Sequence, residues 1–273
     1  MSISNIVIIT GMHRSGTTFV GDILGHNKNN IVLHEPYNPE YGLKNNLEVY
    51  PKDYEEVKKS WQQVIRLKYK IKRNYLRDGR IKRILRFFSG GKSNLSRLEC
   101  KIKSKFQDLN LVIKDPFLLN VVDKLSTEQN INSVILIRHP IAIWRSIKRQ
   151  GWTLKDGNNE LREFCELYCS LYENLLESIT YNKRLMLVKH EELCITPIAL
   201  FEEIYEHLGF ELTPSIRSLI EEKTTNELFD EKKLHNMKRK SVDLAWAWKK
   251  RQEPEDEFIL QSCNYILKKA DYV

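Results

Sequence analysis

No stretch of this sequence approaches the roughly 20 consecutive apolar residues that a membrane-spanning helix requires. Its first apolar run, Ile6 to Ile9, has only the length of a strand, and no Lys or Arg precedes Arg14. A basic leader is therefore not expected, and the reading is of a cytoplasmic protein, open to peripheral contact at the inner membrane surface. Cysteine is scarce: five residues (Cys100, Cys165, Cys169, Cys194, Cys263), odd in number and without CxxC spacing. That pattern argues against a disulfide framework and against a zinc site, so buried structural thiols are expected, with Cys165 and Cys169 four apart on one helix face. Acidic residues are nearly missing from Arg66 to Lys105, where 15 Lys or Arg face only Asp78 and Glu99. The block carries +13 and leaves the rest of the chain at −5. A nucleic-acid-binding face would spread such charge across the fold, so no nucleic-acid partner is expected and the basicity needs a regional explanation.

What is present reads as an α/β protein. Ile6 to Ile9 is unbroken and flanked by turn residues, as in a strand buried on both faces of a parallel sheet. Similar runs place strands at Asn5 to Thr10, Asn30 to Leu33, Leu111 to Lys114, Ser133 to Ile137 and Leu185 to Lys189. Helical spacing between most of them implies right-handed crossovers and a three-layer, doubly wound parallel sheet. The 273 residues are expected to form one such domain, with a helical basic insertion at about 36–110 and a C-terminal segment at about 236–273. Pro197 to Leu208 reads as a helix stopped by Gly209.

Gly11-Met12-His13-Arg14-Ser15-Gly16-Thr17-Thr18 joins the first strand to the first helix. In that context successive backbone N–H groups form an anion nest, and the helix start adds unpaired donors and the positive end of its dipole. Ser15, Thr17 and Thr18 can donate hydroxyls, and Arg14 supplies a cation. The spacing GxxxxG is that of a nucleoside-triphosphatase loop, but the Lys expected after the second glycine is Thr17, which weakens a kinase reading. A second candidate anion site lies at Arg138-His139-Pro140 and Ser146, where a buried strand ends and Pro140 opens a helix.

Together, GMHRSGTT and RHPIAIWRS resemble the two donor-binding motifs of the P-loop sulfotransferases that use 3′-phosphoadenosine-5′-phosphosulfate. The resemblance implies that Gly11, His13, Arg14, Ser15, Gly16, Thr17 and Thr18 surround the 5′-phosphosulfate, and that Arg138 and Ser146 bind the 3′-phosphate. It covers the chain from Asn5 to about Lys189. Lys240-Ser241 and Ala245-Trp246-Ala247-Trp248-Lys249 look like the family's nucleotide-closing segment, which adds Lys240, Ser241, Trp246 and Lys249 to the donor site. The glycine-containing pattern of the cytosolic hormone-type members is absent.

For the chemistry, sulfuryl transfer is similar to phosphoryl transfer in needing positioning, charge stabilisation and a base for the hydroxyl. Glu35, at the end of a second strand expected to neighbour the first, is the expected base, and strand alternation should turn His34 to the opposite face. Lys114, leaving the third strand at the same edge, is expected near the transferred group, with Arg14 as the third catalytic residue. A Glu soon after the loop is similar to members that sulfate carbohydrates or tyrosine, so the expected acceptor is a carbohydrate or glycolipid hydroxyl. No metal is expected. The basic block, with Tyr69, Tyr75, Phe87 and Phe88 interleaved, is a solvated helical face, an acidic-glycan site or an anionic-lipid contact. A nonenzymatic nucleotide- or polyanion-binding module and a divergent P-loop kinase stay open as alternatives.

Overall fold

The computed structural model describes residues 3–40, 42–44, 47–70, 91–103, 108–151, 159–225 and 241–272, with only the backbone described for 91–96 and 241. Five strands form one parallel sheet: β1 (Ile3–Gly11), β2 (Asn30–His34), β3 (Leu109–Lys114), β4 (Asn132–Ile137) and β5 (Leu185–Lys189). All five expected strands are present, and the α/β doubly wound architecture is the observed one. Side-chain alternation explains why the apolar runs are unbroken. In β1, Val7 and Ile9 enter one hydrophobic cluster while Ile8 enters the other, and in β4 Val134 and Leu136 oppose Ile135 and Ile137.

One face is covered by α1 (Thr17–Leu24), α8 (Pro197–Leu208) and α9 (Pro214–Thr225), through Val20, Ile23, Phe201, Ile204 and Ile220. The other is covered by α2 (Tyr54–Ile65), α4 (Val122–Gln129), α5 (Pro140–Arg149), α6 (Glu160–Tyr181) and the C-terminal pair α11 (Glu255–Ser262) and α12 (Asn264–Lys269). The described chain also forms α3 (Gly91–Lys103), α7 (His190–Ile195) and α10 (Ser241–Ala245). Local chemistry sets several boundaries. Asp53 caps α2 by accepting from the Glu55 N–H at 2.8 Å, and proline opens α5 and α8. Among the described residues no helix is long and apolar enough to cross a membrane.

The strand order is β2-β3-β1-β4-β5, which corrects one expectation. β2 is the sheet edge, and β3 stands between it and β1, with Lys114 in register with Ile9 on one side and His34 on the other. The two short connections, β1 to β2 and β3 to β4, join strands that do not pair, whereas β2 with β3 and β4 with β5 pair across longer segments. The long segment between β2 and β3 brings β3 back to lie between β2 and β1. That segment supplies α2, whose Val57, Trp61 and Val64 join the core, and α3, which lies along β2. Tyr69 is core as well, buried with the Arg97 guanidinium 5.1 Å from its ring, and is not an exposed stacking residue. Residues 71–90, 104 and 105, with most of the basic block and Tyr75, Phe87 and Phe88, lie outside the described residues.

Candidate functional site

The phosphate loop leaves the centre of the sheet. Gly11 pairs with Leu136 of β4 and has φ 151°, and a Cβ there would stand 2.4 Å from the Leu136 carbonyl oxygen. Gly16 has φ 101°, and its Cβ would meet His190 Cδ2 at 2.9 Å. No other residue fits either place without strain. Arg14 adopts φ 72° between them, so the backbone takes the alternating handedness that turns N–H groups toward one point. Two tyrosines on α6 pin this turn. The Tyr172 hydroxyl accepts from the Met12 N–H at 2.9 Å and donates to the Leu136 carbonyl at 2.8 Å, while the Tyr168 hydroxyl donates to the Arg138 carbonyl at 3.0 Å. At the helix start, Phe19 and Val20 both donate to the Gly16 carbonyl, and Thr17 and Thr18 precede the first donors a helix can pair internally.

Because β1 and β4 are adjacent, the two candidate anion motifs converge. Arg14 Nε donates to Ser146 Oγ at 2.9 Å, and an Arg138 terminal nitrogen donates to the Arg14 carbonyl at 3.0 Å. Burial disfavours the Arg138 charge, opposed chiefly by Glu191, yet a guanidinium stays protonated in proteins. Two buried polar atoms here, Ser15 Oγ and Arg138 Nε, have no hydrogen-bond partner. Leaving such donors unpaired costs about 1–3 kcal/mol each, so the pocket fits an anionic ligand that would satisfy them.

On the other side of β1, the Glu35 N–H donates to the Lys114 carbonyl at 2.7 Å, and the Lys114 ammonium is ion-paired to Glu35 Oε1. Asn38 Nδ2 donates to Glu35 Oε2 at 2.7 Å. Burial alone would raise the Glu35 pKa, but the Lys114 charge, His34 and the hydrogen bonds from Lys114 and Asn38 outweigh it and hold it at about 2. Glu35 thus meets the loop's edge of the sheet across Lys114, not through a strand adjacent to β1. Its φ of 48° breaks the strand, so alternation does not separate it from His34, whose Nδ1 lies 3.8 Å from Glu35 Oε1.

His13 is bound to Tyr50, whose hydroxyl meets both its ring Nδ1 and its backbone N–H, and its ring packs edge-on against Phe117 at 4.8 Å. Burial, with Lys114 and Arg14 adding to it against Glu35, lowers its pKa to about 4. In the C-terminal segment Trp248 stacks on His139 at 3.7 Å, and Lys249 Nζ stands 4.1 Å over the more exposed Trp246 ring. Arg145 clasps this segment through the Trp248 and Arg251 carbonyls, at 2.6 and 2.7 Å, and Asp256 at 2.6 Å. Lys240 and the Ser241 side chain lie outside the described residues.

Sequence reasoning missed Tyr50, Arg145, Tyr168, Tyr172, His190 and Glu191. The last two had a signal: a His-Glu pair marks the end of β5 (His190-Glu191) as another marks the end of β2 (His34-Glu35). His190 backs Gly16, and buried Glu191 accepts from the His139 N–H at 3.1 Å and the Tyr272 hydroxyl at 2.5 Å. Burial lowers the pKa of His13, His139 (to about 3) and His190, so all three are neutral at pH 7. Below the unfolded value of 6.5 the unfolded chain takes up protons that the folded chain refuses. Folding stability should therefore fall as pH drops from about 6.5 toward 4, by up to about 1.4 kcal/mol per pH unit for each histidine. Urea unfolding midpoints that stay constant across this range would contradict the neutral assignment.

The profile described as the sulfotransferase family matches residues 6–214. Among solved structures, the sulfotransferase domain from the curacin biosynthetic pathway is similar at TM-score 0.51 and 16% identity, over 97% of this chain and 99% of that one. The sulfotransferase domain of the Synechococcus PCC 7002 olefin synthase gives 0.50 and 14%, over 96% and 94%. Mouse sulfotransferase SULT7A1, solved complexed with PAP, gives 0.50 and 12%, over 100% and 86%. No curated protein sequence matches the chain significantly. With the family profile running from β1 through the start of α9, and these folds similar over nearly the whole chain, the chain belongs to the sulfotransferase family.

Proposed function

We propose that the protein transfers a sulfuryl group from 3′-phosphoadenosine-5′-phosphosulfate to a hydroxyl of a saccharide or glycolipid. The observation that carries the donor assignment is the meeting of Arg14, Ser146 and Arg138, with Arg138 Nε and the nearby Ser15 Oγ buried and without a hydrogen-bond partner. Two anion-binding motifs in contact suit a nucleotide with phosphates at both ends of its ribose. In this reading the loop from Gly11 to Thr18 holds the 5′ side, Arg138 and Ser146 hold the 3′-phosphate, and Trp246 with Lys249 borders the base. The donor supplies an activated sulfuryl group on a phosphate leaving group.

The reaction forms a bond from the acceptor oxygen to sulfur, breaks the bond from sulfur to the phosphate oxygen, and releases the hydroxyl proton. Glu35 is an ionised carboxylate at working pH, and it accepts that proton. While paired with Lys114 it is a weak base. Movement of the ammonium toward the negative charge growing on the transferred group and leaving phosphate strengthens Glu35 as it neutralises that charge. Lys114 thereby couples the two halves of the step.

The acceptor reading is supported by a groove of about 340 Å³ running from Thr18, His34 and Lys114 along α1 to Asp22 and His26, with Glu99 and Lys103 of α3 opposite. Asp22, His26, Asn30, Glu99 and Lys103 offer hydrogen-bonding groups to a hydroxyl-rich acceptor beside an apolar wall of Ile31 and Val32. Exposed Lys68 and Lys70 support contact of the basic block with an anionic glycan or lipid surface.

Thermal shift tests the donor assignment directly. Adenosine 3′,5′-bisphosphate at one hundred times its dissociation constant should add about 2.7 kcal/mol of apparent stability. AMP and ATP at equal concentration should add much less, because neither carries the 3′-phosphate. Equal shifts for AMP and the bisphosphate would show that Arg138 and Ser146 do not form a phosphate site. Transfer of labelled sulfate to a panel of saccharides, phenols and steroids then reads the acceptor class.

A further inference from the structure

Three of the five cysteines meet away from the donor and acceptor sites. Cys165 and Cys169, one turn apart on α6, share one hydrophobic cluster with Cys263, which sits at the junction of α11 and α12. Cys169 Sγ also donates to the Ser262 carbonyl at 3.5 Å. Cys165 and Cys263 are buried, whereas Cys169 is half-buried and open to a reagent. The α11–α12 hairpin packs on α6 and carries the residues that hold the C-terminal segment over the 3′ motif, namely Asp256, which binds Arg145, and Tyr272, which binds Glu191. Isolated buried thiols act as small apolar side chains, but thiols in mutual contact on two separate elements are placed to cross-link them. Among the described residues no cluster has the arrangement of a metal site.

We propose that Cys169 and Cys263 form a reversible disulfide that staples the α11–α12 hairpin to α6, with Cys169 the thiol that reacts first with a low-molecular-weight disulfide such as oxidised glutathione. The Cys169 thiolate attacks one glutathione sulfur, forms a mixed disulfide and expels one glutathione thiolate. Cys263 then gives up its proton and attacks Cys169 Sγ, expelling the second thiolate. Two protein thiols are oxidised, and one glutathione disulfide is reduced to two glutathione molecules. The surroundings favour this division of labour. Contact with Cys263 lowers the Cys169 pKa, while contact with Cys165 and Cys169, with burial, raises that of Cys263 well above the thiol range. The outer thiol is the nucleophile, and the inner one holds its proton until the mixed disulfide forms.

The test exposes the full-length protein to oxidised glutathione and maps its peptides without reduction. Cleavage after Glu166 separates Cys165 from Cys169, so the partner of Cys263 is read unambiguously. The expected result is a peptide containing Cys169 joined to one containing Cys263, reversed by dithiothreitol. Cys100 and Cys194 should remain thiols, and the melting temperature of the oxidised form should rise by roughly 5 °C or more. Cys165→Ser should keep the cross-link, and Cys263→Ala should accumulate glutathione on Cys169. Wild-type protein that carries glutathione on Cys169 without cross-linking, that joins Cys263 to Cys165 instead, or that leaves all three thiols free would overturn the proposal. Each of these outcomes is read on the unmutated protein, so a poorly folding variant does not obscure it.

Discussion

Replacing Lys114 by alanine is expected to lower kcat by about a hundredfold or more, and to move the acid limb of the pH–rate profile upward. The ammonium is buried against β1 and is the largest of the influences that hold the Glu35 carboxylate at about 2 against the opposing pull of burial. Without it, desolvation dominates, and Glu35 rises above its ordinary value of 4.5. The sign of the stability change follows. In the native pair the depressed pKa gives stabilisation that is full above pH 4.5 and is lost as pH falls toward 2. In Lys114→Ala a buried carboxylate loses its ammonium partner at neutral pH, at a cost of about 3–5 kcal/mol. The double variant Glu35→Gln with Lys114→Met should recover much of that stability and none of the activity. Glu35→Gln alone should leave bisphosphate binding intact while turnover falls by roughly a hundredfold to ten-thousandfold. Near-normal turnover in Glu35→Gln, with loss in His34→Ala or His13→Ala at unchanged donor affinity, would transfer the base to a histidine.

The second large effect belongs to Arg138. Its alanine variant should weaken adenosine 3′,5′-bisphosphate binding by roughly 10- to 150-fold, the equivalent of about 1.5–3 kcal/mol for a charge-assisted contact. AMP affinity should change far less. Turnover at saturating donor should survive in part, since the lost interaction lies away from the transferring group. Arg14→Ala should behave differently. Arg14 lies inside the loop and also donates to Ser146, so its loss should reduce both kcat and affinity. Titration calorimetry with the two nucleotides separates these outcomes, and an Arg138→Ala variant with unchanged preference for the bisphosphate would remove the 3′ site.

The strands and the phosphate loop were legible because each is written in consecutive residues. A strand buried on two faces is an unbroken apolar run, and the glycines forced by φ 151° and φ 101° fall inside one six-residue loop. Strand order was not legible. Strands adjacent in the chain often pair, yet β1 and β2, joined by a short crossover, do not: β3 fills the place between them, and nothing in either apolar run marks that gap. The supports of the loop were hidden for a related reason. Tyr172 reaches Met12 across 160 residues, and nothing near either one announces the other. His190 was in view, but its role depends on the close approach of β5's end to Gly16, a fact of packing alone. The expectation that His34 and Glu35 point apart failed because alternation holds only within a strand, and Glu35 has left it.

The position of β1 at the middle of the sheet divides the labour of the molecule. On one side, β4 and β5 deliver Arg138, His139, His190 and Glu191; on the other, β3 and β2 deliver Lys114, His34 and Glu35. In its described residues the long connection between β2 and β3 walls the groove on the second side through α3, meets the phosphate loop at Tyr50, and reaches α4 through Tyr54 and Lys58 on Glu128. Exchanging that connection for a different one is thus a change of customer and not of currency: it can alter what receives the sulfuryl group while the machinery for its carrier stays as it is. Mutational effects on the two sides should accordingly add, except for pairs that include Tyr50, His13 or Lys114.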